Sequence, residues 1–387
     1  MIRVGFVYPR LGEAWLGGSN YLRNLLGALT ATPSCGVQPV LLVDAGAPVP
    51  PGFEQVEILR SAALRVRHLL PFRGAAAVPH WDPLLDGILR HHHLAVLSHS
   101  GVLGPRARTP AIAWISDFQH RVLPGFFQPA ERTERDAAFT RFLREAAVVI
   151  VSSEAARRDA EQFFPGHGAR LRVLRFVDSS PAAASPPSRE ELQSRHGFSG
   201  RYLILPNQYW AHKNHALVLD ALALLRQKGR EVLVLSTGSA SDYRSPGFFE
   251  RFLQHREALG VTDNYRILGV VPFADLSGLL RGAVAVLNPS LFEGWSTTVE
   301  EAKSLGKRVL LSDIAVHREQ APERGAYFDP HQPEQLAEAM WAAWTADDAG
   351  EGAATARAAS LLPAWRKEFA ETYAAIVREV AAASRRS

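Results

Sequence analysis

The sequence is poor in sulfur-containing residues, with one cysteine and two methionines in 387 residues. The single Cys35 cannot form a disulfide within the chain and has no metal-ligand neighbours, which excludes a disulfide framework and fits a reducing compartment. No apolar run approaches the roughly 18 to 20 residues that a membrane-spanning helix needs. The N-terminal segment MIRVGFVYPR also lacks a hydrophobic stretch that ends in small residues, so we expect a cytoplasmic protein.

Charge of one sign is also scarce, because the formal net charge is only +4. That excess is too small to indicate a nucleic-acid partner. A local basic segment alternates with apolar residues and consists of Arg60, Arg65, Arg67, His68 and Arg73. Such a segment can contact an anionic membrane surface or an acidic acceptor, and the favoured interpretation is a solvated surface helix or loop.

Short apolar runs alternate with amphipathic stretches in both halves of the chain, which indicates βαβ units around parallel sheets. A chain of 387 residues exceeds the size at which one core keeps growing, so we expect two domains. The predicted fold class is α/β, with two Rossmann-like, doubly wound domains. The predicted strands are Ile2 to Tyr8, Val40 to Val43, Leu94 to Leu97, Ala111 to Ile115, Val148 to Val151, Tyr202 to Leu205, Val232 to Leu235, Tyr265 to Leu268, Val284 to Asn288 and Arg308 to Leu311.

A stretch rich in Pro, Ser and Ala separates the two sets of strands and contains one predicted helix, Ser188 to His196. We assign residues 1–177 to an N-terminal domain and 178–200 to a linker. Residues 201–363 form the C-terminal domain. The last segment, 364–387, is predicted to be a helix that crosses back to the N-terminal domain.

Two glutamates with seven residues between them follow a predicted strand of the C-terminal half. Glu293 falls in the loop, and Glu301 falls in the first turn of the next helix. A loop carboxylate accepts hydrogen bonds from sugar hydroxyls, and the free N–H groups of a helix start favour phosphate. The alternative is a capping box, with Thr297 or Thr298 as the N-cap and Glu300 or Glu301 three residues later.

At these residues the chain resembles the family 4 glycosyltransferases, which are retaining enzymes of GT-B fold with two domains that face a central cleft. The resemblance covers most of the chain and is strongest from Tyr202 to Pro330. In that family the first glutamate contacts hydroxyls of the donor sugar and the second holds the ribose of the nucleotide. The resemblance therefore implies a catalytic place for Glu293 and a donor-binding place for Glu301.

The residues between the two glutamates follow the family pattern with one departure. Gly294 and Trp295 match its Gly-aromatic pair, whereas Ser296 and Thr297 stand where the family often has Gly and Leu. The resemblance implies that this segment contacts donor phosphate through backbone amides, so the departure is mild.

Lys213 lies after the first strand of the C-terminal half and just before a predicted helix. A lysine there can neutralise a diphosphate that loses most of its water on binding. The family has Lys-Gly or Lys-Asn here, which implies that Lys213 binds the pyrophosphate. Members often carry an arginine five residues earlier, where this chain has Gln208, so another cation compensates or the diphosphate is held less tightly. The resemblance also places the nucleotide base against main-chain groups near Gly269 and Val271.

Gly17 and Gly18 precede the predicted helix Tyr21 to Leu29 and have the composition of a loop whose backbone approaches a ligand. The full G-x-G-x-x-G pattern is missing, which disfavours a dinucleotide dehydrogenase. By resemblance, this pair approaches donor phosphate and acceptor. Asp117 and His120 follow another strand of the same domain and are candidates to bind an acceptor or donor-sugar hydroxyl, with a purely structural polar residue as the alternative.

The resemblance implies transfer of a hexose-type sugar from a nucleotide diphosphate sugar to a hydroxyl of a glycan, lipid-linked or other acceptor, in bacterial cell-surface polysaccharide or glycoconjugate synthesis. No Asp-x-Asp motif occurs, and His91 to His93 lack companions at ligand spacing, so we expect no metal and no cofactor besides the donor. A catalytically silent nucleotide- or carbohydrate-binding protein on the same fold is the alternative, favoured by Gln208 and by Ser116 in place of a family histidine. A nucleotide-sugar epimerase is the third interpretation.

Overall fold

The computed structural model describes residues 1–8, 16–48, 52–66, 81–178, 186–347 and 349–384. It divides the chain into two compact units. Unit 1 comprises Met1–Arg121, Pro129–Ser180 and Ala364–Ser387, and unit 2 comprises Val122–Gln128 and Pro181–Pro363. Unit 2 therefore includes a short segment, 122–128, that the sequence analysis assigned to the first domain. Arg67, His68 and Arg73 of the basic segment lie outside the described residues, so its membrane contact stays a prediction.

Unit 1 is built around a parallel sheet. Its strands are β1 (Ile2–Val7), β2 (Val37–Asp44), β3 (Glu57–Ser61), β4 (Val96–Ser98), β5 (Ala111–Ile115), β6 (Val148–Val151) and β7 (Leu171–Val173). Its helices are α1 (Leu16–Ala31), α2 (Ala63–Val66), α3 (Pro83–His91), α4 (Gln119–Val122), α5 (Pro129–Glu145) and α6 (Glu154–Phe163). Among the described residues the sheet has seven strands, in the order β3-β2-β1-β4-β5-β6-β7.

Unit 2 repeats this organisation. Its strands are β8 (Leu203–Leu205), β9 (Val234–Thr237), β10 (Tyr265–Gly269), β11 (Val286–Asn288), β12 (Val309–Ser312) and β13 (Gly325–Phe328). Its helices are α7 (Arg189–His196), α8 (His215–Gln227), α9 (Phe248–Ala258), α10 (Phe273–Gly282), α11 (Thr297–Ser304), α12 (Ala315–Gln320) and α13 (Pro333–Thr345). The last helix, α14 (Glu351–Ser384), begins in unit 2 and belongs to unit 1 from Ala364 onward. The parallel strands of the described residues run in the order β10-β9-β8-β11-β12-β13.

The inner strands β6 and β8 are apolar along their whole length because helices cover both faces of a doubly wound sheet. In β6, which reads Val-Val-Ile-Val, every residue is buried. The C-terminal part of α14 contributes to the core of unit 1, where Phe369, Tyr373 and Val377 are buried. The Tyr373 hydroxyl donates a hydrogen bond to Ser98 Oγ at 2.8 Å, which anchors this part of the helix at the end of β4.

Two helix starts differ from the prediction, and one agrees with it. Helix α1 already includes Gly17 and Gly18, so the loop predicted there is wrong. Helix α14 begins at Glu351 and contains Pro363, although proline lacks the N–H that an interior position donates. Helix α7 begins after Ser188, whose side chain forms a full capping box with Glu191, which confirms the predicted helix. No described helix has the length and apolarity to cross a membrane.

Candidate functional site

The strand order of unit 2 reverses between β8 and β11, and chain segments leave the carboxyl ends of both strands at this point. In open α/β sheets, ligands bind in the crevice outside the strand ends at such a switch point. The segment after β8 carries Lys213, and the segment after β11 carries Glu293. The topology therefore brings together two predicted site residues that are 80 positions apart in sequence.

Lys213 and Glu293 form a largely buried ion pair. The Lys213 Nζ atom is 2.6 Å from Glu293 Oε1, and their side chains are only 17% and 9% exposed. Burial alone would raise the pKa of the Glu293 carboxyl, but the charge of Lys213, a smaller effect of His317 and hydrogen bonds from Lys213 and Ser290 lower it below its ordinary value. The carboxylate is therefore ionised at neutral pH, and its charge is balanced by the lysine.

The loop conformation that holds Lys213 in place depends on the next residue. Ala211 to Lys213 form one 3-10 turn, and Asn214 adopts a left-handed conformation with φ 57°. The Asn214 amide donates hydrogen bonds to the carbonyl oxygens of Pro289, at 3.2 Å, and Pro330, at 2.8 Å. Asparagine tolerates the left-handed region better than most residues, and here its side chain also ties the lysine turn to the loop after β11.

A network of buried polar side chains is connected to this ion pair through Ser290. The Asn207 amide donates to Asn288 Oδ1 at 3.3 Å, and the Asn288 amide donates to Ser296 Oγ at 2.7 Å. Thr298 Oγ1 donates to Asn207 Oδ1 at 3.0 Å. Ser290 Oγ is 2.7 Å from both Asn288 Oδ1 and Glu293 Oε1, and its single hydrogen serves one of them at a time. Such a satisfied network fixes side-chain positions in a medium of low polarity.

Helix α11 begins beside this network, but not as the capping box predicts. Its N-cap is Ser296, whose Oγ accepts from the Val299 N–H. Glu300 is buried and accepts a hydrogen bond from Gln320 Nε2 at 2.9 Å, whereas Glu301 is only partly buried. The alternative interpretation, a capping box with Thr297 or Thr298 as the N-cap, is therefore not what the structure shows. Glu300 therefore has a structural role, because its buried carboxylate pairs with Gln320. The ribose contact of Glu301 stays a prediction.

The side chain of Gln320 already occupies one backbone N–H at the start of this helix, that of Ser296. Its Oε1 accepts a hydrogen bond from the Ser296 N–H at 3.2 Å, and its Nε2 donates to the Ser296 carbonyl at 3.0 Å. The expected phosphate contact of the Ser296 amide thus requires Gln320 to give up this bond. Gly294 and Trp295 precede the cap, with Trp295 buried, and Thr297 opens the helix.

The other residues predicted to bind the donor lie after β8 and at the end of β10, and Gly238 follows the strand between them, β9. Gly238, with φ +123°, packs so closely that an added Cβ would lie 2.6 Å from the Asn207 carbonyl oxygen. Its N–H donates to the carbonyl of Gly269, which ends β10 with φ 71°. Val271 follows in the next loop and is partly buried. The backbone carbonyl of Gln208 accepts from His215 Nε2 at 3.0 Å, so its main chain is held in place.

A second cation, Arg244, lies near the turn that carries Lys213 and was not predicted from the sequence. It follows strand β9, whereas the motif that carries Lys213 follows β8. Arg244 is largely buried, with its guanidinium 4.4 Å from the centre of the Trp210 ring and its Nε 3.7 Å from Asp242 Oδ1. Burial lowers the pKa of His212, and the charges of Lys213 and Arg244 lower it further, which places both cations near that imidazole.

In unit 1 the switch point lies between β1 and β4. Gly18 lines a small pocket there, together with His99 and Trp114. Tyr21 stacks on Trp114 with ring centroids 4.1 Å apart and donates toward His99 Nε2, 2.9 Å away. Burial lowers the pKa of His99 to about 3, so the imidazole is neutral. This pocket offers an aromatic wall with uncharged polar atoms.

The two polar candidates after β5 have separate surroundings in unit 1. Asp117 accepts hydrogen bonds from the Gln119 N–H, at 3.0 Å, and from the Ser116 hydroxyl, at 3.1 Å. His120 is completely buried, with Nε2 3.0 Å from Asp136 Oδ1. Burial lowers its pKa more than Asp136 raises it. The contact with Asp136 fits a structural role for His120. The contact of His120 with a substrate hydroxyl stays a prediction.

Across the described residues, no group of three or more His, Cys, Asp or Glu side chains is placed to hold a metal ion. Metal independence of any reaction stays a prediction.

The chain is similar to known glycosyltransferases in part of its sequence and in its fold. Residues 200–345 match the family model described as glycosyl transferases group 1. A glycosyltransferase from Rickettsia africae has 14% identity and a TM-score of 0.66, with 99% of this chain and 98% of that chain covered. The Anabaena protein Alr3699/HepE in complex with UDP-glucose has 17% identity and a TM-score of 0.67, with 97% and 100% covered.

A UDP-forming trehalose-phosphate synthase from Burkholderia xenovorans has 16% identity and a TM-score of 0.62, with 98% of this chain and 100% of that chain covered. None of the curated protein sequences matches the chain. At these identities the structural likeness shows the fold, an α/β fold of the GT-B class with two Rossmann-like units, as the sequence analysis predicts.

Proposed function

We propose that this chain, whose residues 200–345 match the model of the group 1 glycosyl transferases, moves a hexose-type sugar from a nucleoside diphosphate sugar to an acceptor hydroxyl. The observation that carries the proposal is the buried ion pair of Lys213 and Glu293 at the switch point of the unit that the family model covers. The Anabaena neighbour was solved with UDP, with UDP and glucose and with UDP-glucose, which supports a donor of this class.

The two charged groups suit the two halves of such a donor. An ammonium has three N–H donors and a flexible stem, so Lys213 can turn from the carboxylate to a diphosphate. It stabilises the negative charge that grows on the diphosphate as the bond to the anomeric carbon breaks. The Glu293 carboxylate accepts from sugar hydroxyls and stabilises positive charge at the anomeric carbon. The N-terminus of α11 adds a favourable potential for phosphate.

We further propose that the reaction retains the anomeric configuration and uses no metal or other cofactor. In a retaining transfer, the new bond from the acceptor oxygen replaces the diphosphate on the same face of the sugar. We propose a glycan or lipid-linked acceptor in cell-surface polysaccharide or glycoconjugate synthesis. The family match and the UDP-glucose complex support the donor class, and the acceptor follows from the family resemblance alone.

The test is release of nucleoside diphosphate from a panel of nucleotide hexoses, with and without a mixture of alkyl glycosides and lipid-linked acceptors. Acceptor-dependent release is expected, and proton couplings of the product report its anomeric configuration. Activity should persist after treatment with a chelator. Glu293→Gln should lower acceptor-dependent release, whereas Glu338→Gln, which removes a carboxylate from an exposed ion pair with Lys228, should not.

A silent binding protein is the second candidate, and the neutral Gln208 favours it. The charge of Lys213 is already balanced by Glu293, so this site has little surplus positive charge to stabilise a leaving diphosphate. A nucleotide hexose that binds tightly but releases no diphosphate with any acceptor would support this candidate and overturn the transferase proposal.

A further inference from the structure

His317 is a buried histidine that neither the motifs nor the proposed reaction uses. It lies on α12, after β12, and its side chain is completely buried. Its Nδ1 atom is 2.9 Å from the Ser312 carbonyl oxygen and 3.1 Å from the Ser312 hydroxyl oxygen. A carbonyl oxygen only accepts, and the Ser312 hydroxyl donates its own hydrogen to the Ser290 carbonyl at 2.5 Å. Both contacts therefore require the ring hydrogen to be on Nδ1.

The other ring nitrogen of His317, Nε2, lacks the hydrogen-bond partners that Nδ1 has. Nε2 of His317 is buried and has no hydrogen-bond partner within the described parts of the chain. Burial lowers the pKa of His317 more than the Glu293 carboxylate raises it, so the ring is neutral at neutral pH. With the hydrogen on Nδ1, Nε2 presents a lone pair. A buried acceptor without a donor is unfavourable, so this atom is suited to a donor group from a bound molecule.

The position of His317 connects it to the site of the ion pair. Ser312, which holds the ring, donates to the carbonyl of Ser290, and the Ser290 hydroxyl contacts Glu293 Oε1 at 2.7 Å. Glu293 and Lys213 each influence the charge state of the imidazole, so both lie within electrostatic range of it. The imidazole and the carboxylate, two groups with hydrogen-bond acceptors, are thus linked through Ser312 and Ser290 and lie within electrostatic range of each other.

We propose that Nε2 of His317 accepts a hydrogen bond from a hydroxyl of the transferred sugar, next to the Glu293 carboxylate. The inference rests on the proposed function and names a further donor-binding residue. A diphosphate cannot be the partner, because its ionised oxygens carry lone pairs and no hydrogens. A sugar hydroxyl donates, and a hexose offers several neighbouring ones, which suits two adjacent acceptors.

Donor binding opens access to this buried atom. The diphosphate attracts the Lys213 ammonium, whose long stem has several rotatable bonds, away from the contact with Glu293. The carboxylate then turns toward the sugar, and a hydroxyl reaches Nε2. The nucleoside diphosphate alone makes no contact with His317, so this residue distinguishes the sugar-bearing donor from the product.

Calorimetric titration tests this with UDP, GDP, ADP and dTDP and with their glucose and mannose conjugates. The pair of ligands that the parent binds best is then used with three variants. His317→Asn keeps an N–H toward the Ser312 carbonyl but lacks Nε2, and His317→Gln places an amide oxygen near the position of Nε2. His255→Asn is the matched control, because His255 is 41% exposed on α9 and pairs with Asp220.

His317→Asn should weaken binding of the nucleotide sugar about three- to tenfold, the effect of one neutral hydrogen bond, and leave binding of the diphosphate within about twofold. His317→Gln should recover most of the loss, and His255→Asn should change neither. Donors that lack one sugar hydroxyl at a time identify the partner, since one of them should lose affinity with the parent but not with His317→Asn.

Equal losses for diphosphate and nucleotide sugar would overturn the inference and make His317 purely structural. Additive losses for every deoxy donor would also overturn it. If His317→Asn does not fold, His317→Leu answers the same question with an apolar side chain of similar volume. A parent that binds diphosphates but no nucleotide sugar would instead refute the proposed function, which separates the two failures.

Discussion

Replacing Lys213 with methionine removes the positive charge of the buried pair and keeps a side chain of similar length. The Glu293 carboxylate, 9% exposed in the parent, would lose its closest cation. Loss of one partner from a buried pair costs about 3 to 5 kcal/mol, and the residual exposure of both groups places the expected loss near 3 kcal/mol. Urea denaturation measures this change. Lys228→Met is the matched control, because its pair with Glu338 is more than half exposed and should cost at most about 1 kcal/mol.

The same substitution should weaken nucleoside diphosphate binding. A charge-assisted hydrogen bond contributes about 1.5 to 3 kcal/mol, which corresponds to a roughly ten- to 150-fold higher Kd, while nucleoside binding should stay nearly unchanged. The double variant Lys213→Met, Glu293→Gln separates the two effects. It contains no unpaired charge, so it should recover most of the lost stability but not the affinity for diphosphate. Calorimetry on folded protein gives both Kd values.

Two results would refute this reasoning. Recovery of parental diphosphate affinity in the double variant would mean that Lys213 serves only to neutralise Glu293. An equal loss of nucleoside and diphosphate affinity in the single variant would mean that the lysine supports the loop rather than the phosphate.

The other predictions concern the helix cap, the charge state of the site and the loop before the lysine turn. Ser296→Ala should cost about 1 to 2 kcal/mol in urea denaturation, at the upper end for an N-cap, because Asn288 also loses its acceptor. The lowered pKa of Glu293 means that ionisation of this carboxyl stabilises the native state above about pH 4.5, and that this contribution is lost as the pH falls through the lower native pKa. The stability advantage of the parent over Glu293→Gln should therefore shrink in thermal melts below that pH, and an advantage that is constant from pH 7 to pH 3 would contradict the shift. Gly238→Ala should destabilise the protein by more than 2 kcal/mol, because its Cβ meets a carbonyl oxygen, whereas Gly229→Ala, whose Cβ meets no atom within 4 Å, should cost only about 1 kcal/mol for its positive φ.

Most strands predicted from the sequence lie inside their sheets, where helices cover both faces, and the outermost strand β10 is the exception. The predicted strand Val148 to Val151 has the same bounds in the structure, since four consecutive branched residues leave no other placement. The sequence analysis missed β3, β7 and β13. All three are outermost strands of their sheets, where burial is incomplete and residues such as Arg172 and Glu57 interrupt the apolar pattern.

The site was partly visible in sequence because two motifs follow strand ends. The spacing of Glu293 and Lys213 from their strands indicated the crevice, but it did not indicate that the two side chains pair with each other. That contact depends on the turn at Asn214, which is held by carbonyl oxygens more than 70 positions away. No sequence motif marked His317 as a site residue either. The orientation of its ring depends on the contacts with Ser312 and on the packing of the short helix α12.

The charges near the switch point nearly cancel before any donor arrives. Lys213 is balanced by Glu293, and Arg244, the second cation near this loop, has Asp242 beside it and an aromatic ring against its face. A neutral glutamine occupies the position where an arginine is common in the resembling family. In the proposed donor complex, the diphosphate draws Lys213 away from its carboxylate, and part of the binding free energy of the diphosphate is lost in separating that pair. The freed carboxylate then gains its new partners from the sugar, so the complete donor should bind more tightly than the nucleoside diphosphate.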